Sequence, residues 1–107
     1  MSLRIAIFDD NRNIRDSISM LLNTEKEFKV VGSYANVLNN LRDVEACNPD
    51  VILMDIEMPG MSGIEAVRSI KSRYPEIQIL MQTVFEDDDR VFDSICAGAS
   101  GYILKNF

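Results

Sequence analysis

Three aspartates stand where apolar runs end. Leu3-Arg4-Ile5-Ala6-Ile7-Phe8 runs into Asp9-Asp10, and Val51-Ile52-Leu53-Met54 runs into Asp55. Four apolar residues in a row, followed by a turn containing Pro59, Gly60 and Gly63, read as a strand buried on both faces, as in a parallel sheet. A charge is costly to bury unless paired, so Asp55 belongs at the strand's C-terminal edge. In open α/β sheets that edge is where ligands bind. Three carboxylates delivered to one rim make a candidate cation site, and hard cations prefer oxygen ligands.

The chain has no histidine. That removes Ser-His-Asp and Cys-His catalysis, the usual zinc sites and the commonest general base. Whatever chemistry occurs must run on carboxylates, hydroxyls, lysine and a hard cation.

The elements that would position these carboxylates alternate along the chain. Strands are expected at Leu3–Phe8, Phe28–Gly32, Val51–Met54, Ile77–Met81 and Gly101–Leu104. Ile14, Ile18, Leu21 and Leu22 fall on one face of a first helix. Val37, Leu38, Leu41 and Val44 mark a second, which must stop before Pro49 because the residue ahead of proline disfavours the α region. Ile64, Val67, Ile70 and Tyr74 mark a third, stopped by Pro75; Val91, Phe92 and Ile95 mark a fourth, with Gly98 as its C-terminal cap. The order βαβαβαβαβ with short connections implies a doubly wound parallel sheet with helices on both faces. A fifth helix is expected to follow Phe107, beyond the given chain.

Composition bounds the partners. A chain of 107 residues suits one domain, and 47% hydrophobic with 26% charged residues reads as a soluble globular protein. Eleven basic against seventeen acidic residues give a net charge of −6, so the chain lacks an overall basic surface for gripping DNA or RNA itself. No apolar stretch approaches the roughly 20 residues of a membrane span, and no signal-peptide core is present, which implies no membrane partner. Cys47 and Cys96, without CxxC spacing, read as buried or half-buried reduced thiols in a cytoplasmic setting. The run Glu86-Asp87-Asp88-Asp89 reads as charge placed at a helix N-terminus, and Met20, Met54, Met58, Met61 and Met81 as core or turn filler.

Four elements now stand in order: Asp9-Asp10; Asp55 with its Met58-Pro59-x-Met61-x-Gly63 tail; Thr83; and Gly98-Ala99-x-Gly101-Tyr102-Ile103-Leu104-Lys105. Together, and over the whole chain, they resemble the receiver domain of two-component response regulators, the terminal segment being similar to the NarL/LuxR type. The resemblance implies the flavodoxin-like (CheY-like) fold, a five-stranded sheet of order 2-1-3-4-5. It also implies an effector domain beyond the given chain, through which DNA would be bound and transcription controlled.

The implied roles follow residue by residue. Asp55 is the phosphoacceptor, taking a phosphoryl group from a histidine kinase in trans. Asp10 and Asp55 hold Mg²⁺ directly, with the main-chain carbonyl of Glu57, and Asp9 acts through water. Lys105 reaches the phosphoryl oxygens as a point charge, and Thr83 donates its hydroxyl to one of them. Three carboxylates against Mg²⁺ and one lysine sum to zero charge. Thr83 and Tyr102 form the switch, with Tyr102 turning inward on activation. The surface near the fourth helix and fifth strand then changes partner, dimerisation included. Glu57 and Phe85 occupy the positions that tune phosphoryl lifetime. The chain departs from the family in carrying Asn106 where a proline often follows the lysine.

Other readings exist. Asp9 and Asp10 could merely cap the first helix. A haloacid-dehalogenase-like phosphatase also uses a strand-end aspartate nucleophile and Mg²⁺, and Glu57 loosely fits the acid it needs two residues on. That family, however, puts its nucleophile on its first motif strand and continues much further. A receiver-fold interaction module without phosphorylation is the third reading. Enzymatic character, on the leading reading, is limited to self-catalysed phosphorylation and dephosphorylation.

Overall fold

A computed structural model describes residues 2–83 and 88–104. Five strands and four helices alternate: β1 (Leu3–Phe8), α1 (Arg12–Asn23), β2 (Phe28–Tyr34), α2 (Asn40–Cys47), β3 (Val51–Asp55), α3 (Gly63–Arg73), β4 (Gln78–Thr83), α4 (Asp88–Ala97) and β5 (Gly101–Leu104). All strand pairs are parallel and the order is β2-β1-β3-β4-β5, as expected. The strand order reverses at β1 and β3, the chain stepping outward to β2 and then back past β1, so the C-terminal ends of β1 and β3 flank the crevice of the sheet.

The pleat sends alternate residues to opposite faces, and each face builds its own core. Ala6, Phe8, Ile52, Met54, Ile79 and Met81 pack with Val44, Ala66, Val67 and Ile70 from α2 and α3. On the other face Ile5, Ile7 and Leu53 meet Ile18 and Leu22 of α1. β3 is buried at Ile52, Leu53 and Met54, which is why its sequence is apolar without alternation.

Local chemistry sets the helix ends. Asn11 caps α1, its side chain accepting from the amides of Asn13 (2.9 Å) and Ile14 (3.2 Å). Ser62 caps α3 by accepting from Glu65 N at 3.2 Å, with Glu65 three residues on as in a capping box. α2 stops at Cys47 with Asn48 left-handed (φ 48°) ahead of Pro49. Gly98 (φ 115°) ends α4, and Ala99 N donates to Ser94 O at 3.0 Å.

The structure corrects several boundaries and faces. β2 runs on from Gly32 to Tyr34, and β4 spans Gln78–Thr83 instead of Ile77–Met81. Polar Ser33 and Gln82 hid both extensions, because backbone pairing does not depend on side-chain polarity. Val37 and Leu38 precede α2 instead of opening it. Val37 is nevertheless fully buried, a loop residue worth roughly 1.5–3 kcal/mol in the core, whereas Leu38 is exposed. Leu21 and Ile95 also face outward, although their spacing fits the buried stripes of α1 and α4. Cys47 is buried as expected, but Cys96 is exposed.

Tyr34 closes the end of β2. Its ring stacks on Phe8 (4.9 Å between centroids), and its hydroxyl donates to Asp43 O at 3.5 Å. Burial, then the neighbouring Cys47 thiol, pushes its pKa up to about 12 from an ordinary 10.0. The folded state therefore holds this proton more tightly than the unfolded chain does. The corresponding stability is fully present below pH 10 and lost as pH rises towards about 12. Tyr34→Phe should flatten the fall of melting temperature across that window. An identical fall in both proteins would show that Tyr34 titrates as in the unfolded chain.

Candidate functional site

Strand ends and one tight turn assemble the site. Asp55 is the last residue of β3, and Asp9 and Asp10 directly follow β1. One oxygen from each of the three carboxylates lies within 4.8 Å of the others. Asp9 is fully buried, Asp55 is 9% exposed, and Asp10 is open to solvent. The site is therefore a shallow well with a buried floor and one exposed wall.

Asp9 is held firmly. Its amide donates to Tyr34 O (3.0 Å), its Oδ1 accepts from Asn11 N (2.9 Å), and its carbonyl accepts from the Arg15 guanidinium (2.6 Å). Neither Asp9 nor Asp10 caps α1, because Asn11 does so. The capping alternative for the acidic pair therefore fails on geometry, and both carboxylates are left at the rim.

The turn after Asp55 is tight. Gly63 N donates to Ile56 O at 2.7 Å, and a Cβ on Gly63 would collide with the carbonyl oxygen of Asp55. Only glycine lets α3 start this close behind the acidic residue. Met58 is buried and Met61 packs on the core, so both are turn filler as expected. Glu57 is exposed and lines a hollow of about 350 Å³ with Ile56, Met58 and Met61.

A cation fits this donor set. The ligand atoms available are carboxylate oxygens, which suit Mg²⁺ or Ca²⁺ over softer metals. The exposed side of Asp10 leaves room for the waters Mg²⁺ retains.

Some expected positions lie outside the described residues. Phe85 and Lys105 do so entirely. The backbone of Thr83 closes β4 in register with Leu104, but its side chain is not described. Tyr102, in β5, is 47% exposed, so its ring points outward in this structure.

Sequence reading missed Asn11, Arg15 and Gln82. Asn11 carried a signal, being a favoured cap residue ahead of an amphipathic run. Nothing in the sequence says where the Arg15 guanidinium goes. Gln82 lies in register with Asp55 and is 6% exposed, and its buried Oε1 has no hydrogen-bond partner among the described residues. An orphaned buried carbonyl costs about 1–3 kcal/mol. Gln82→Leu should therefore raise Tm by several degrees; a lowered Tm would mean that the amide is satisfied.

Comparison with known proteins agrees with this fold. Residues 5–107 match the response regulator receiver domain model. The chain is 41% identical over 103 residues to the transcriptional regulatory protein DegU of Brevibacillus brevis, covering 96% of this chain and 44% of that protein. It is 40% identical over 105 residues to the oxygen regulatory protein NreC of Staphylococcus aureus (strain JH9), covering 97% and 48%. The chain thus spans less than half the length of these two relatives. Among solved structures it resembles a two-component response regulator of the LuxR family from Aurantimonas sp. SI85-9A1, with a TM-score of 0.92 and 30% identity. That match covers 99% of this chain and 76% of the other.

Proposed function

This chain belongs to the response regulator receiver domain family of two-component systems, and from that premise we propose that Asp55 is its phosphoacceptor. The observation that carries the reading is the convergence of Asp9, Asp10 and Asp55 at the C-terminal rim of a 2-1-3-4-5 sheet. Family membership leaves the phosphatase reading without support. It also leaves a phosphorylation-free module as the outcome that the experiment below would reveal.

An oxygen of Asp55 attacks phosphorus as the P–N bond of a donor phosphohistidine breaks, and the departing imidazole takes a proton from water. The donor belongs to a kinase in trans, since this chain has no histidine. Mg²⁺, when bound, neutralises phosphoryl oxygens and favours in-line attack. Asp10 and Asp55 would hold it with the Glu57 carbonyl, and Asp9 would orient its water. The buried floor keeps the reacting carboxylate in one orientation. Lys105 and Thr83 are assigned to the phosphoryl oxygens, Thr83 and Tyr102 to the switch, and Glu57 and Phe85 to the lifetime of the phosphorylated state. An outward Tyr102 is the orientation expected before phosphorylation. Among the described residues no helix is long and apolar enough to cross a membrane, in keeping with a cytoplasmic setting. Dimerisation on phosphorylation and control of transcription through an attached DNA-binding domain complete the proposal, supported by the LuxR-family likeness.

The test is direct. Incubated with Mg²⁺ and acetyl phosphate, the chain should gain the mass of one phosphoryl group, released by hydroxylamine as from an acyl phosphate. Loss of uptake on chelation is expected. A chain that stays unlabelled with Mg²⁺ present would overturn the reading.

A further inference from the structure

We propose that Arg15 is a positioning residue for the cation site, acting through the main chain of Asp9. The inference rests on the acceptor reading above and extends it to a residue outside the acidic cluster. Arg15 lies in the first turns of α1 and is half-buried. Its guanidinium spans two elements: one nitrogen donates to Asp9 O at 2.6 Å, and Nε donates to Ser33 Oγ at 3.1 Å on β2. The planar fork ties the residue that follows β1 to the neighbouring strand and to the helix at once. Asp9 is then gripped from three sides, by Tyr34 O, Asn11 N and Arg15. A carboxylate on the β1–α1 connection would otherwise swing with a short loop. Small displacements matter at a cation site, where supporting contacts tune affinity.

Charge alone predicts the opposite sign. A cation beside carboxylates repels Mg²⁺, so removing it should tighten metal binding. Bracing predicts that removal weakens binding despite that relief, and the sign separates the two roles.

The measurement is Mg²⁺ affinity by calorimetry in the intact chain, with melting temperature and acetyl-phosphate labelling recorded for every variant. Arg15→Ala and Arg15→Lys should each weaken Mg²⁺ binding about threefold to tenfold, the share of a lost charged hydrogen bond that reaches the metal. Lysine keeps the charge but lacks the fork, so it should fail alongside alanine. Ser33→Ala should give a smaller loss in the same direction, and Ser33→Thr, which retains the hydroxyl, should restore wild-type affinity. Amide exchange at Asn11 should quicken in both Arg15 variants. Unchanged or tighter Mg²⁺ binding in Arg15→Ala would overturn the brace while wild-type labelling keeps the acceptor reading intact. A wild-type chain that takes up no phosphoryl group overturns that reading, and the brace falls with it.

Discussion

Asp55→Asn should fold as the wild type does and take up no phosphoryl group from acetyl phosphate with Mg²⁺ present. The amide nitrogen's lone pair is delocalised and the amide oxygen is uncharged, so no competent nucleophile remains. Removing a nucleophile costs on the order of a thousandfold or more in rate. The substitution preserves shape at a residue only 9% exposed, so packing is unaffected. It also removes one of three carboxylates crowded within 4.8 Å, which relieves like-charge repulsion and should leave Tm equal or higher. Intact mass and thermal melting together decide the matter. Equal labelling of the variant would move the acceptor elsewhere, and a collapsed Tm would show that Asp55 is needed for folding.

Mg²⁺ affinity should fall further in Asp10→Ala than in Asp9→Ala. Asp10 sits exposed at the rim, whereas Asp9 is buried and commits Oδ1 to the Asn11 amide. On the proposed assignment the first variant loses a direct oxygen ligand, and the second loses a residue that acts through water. Loss of a supporting carboxylate typically costs about ten- to a hundredfold in affinity, and a direct ligand more. Asp10→Ala should therefore exceed about a hundredfold, with Asp9→Ala below it. The two titrations are read against each other at one pH and salt concentration. A reversed order would make Asp9 the direct ligand and overturn the assignment of roles.

The sequence by itself determined the alternating strand-helix order of a parallel sheet and the rim, whereas the strand order came from the family resemblance. An apolar run that buries both faces must be a central parallel strand, and a carboxylate at its end must emerge at the ligand-binding edge. Asp9, Asp10 and Asp55 share that edge by this rule, and the 4.8 Å cluster agrees with it. Helix ends were legible for the same local reason: Pro49, Pro75 and Gly98 act on their own backbone or on the residue beside it.

Only the tertiary structure decided what each side chain touches. Leu21 and Ile95 share the spacing of buried stripes but face solvent, because burial depends on what packs opposite and not on period. Val37 reads as helical and is a buried loop residue instead, held by the core it reaches across space. Asn11, and not the acidic pair, caps α1, which leaves the two carboxylates at the rim. Arg15 grips Asp9 from the helix and Ser33 from the strand, contacts that span 6 and 18 residues along the chain. Such partners are set by how elements dock. Sequence periodicity, which reports only neighbours along one element, does not contain them.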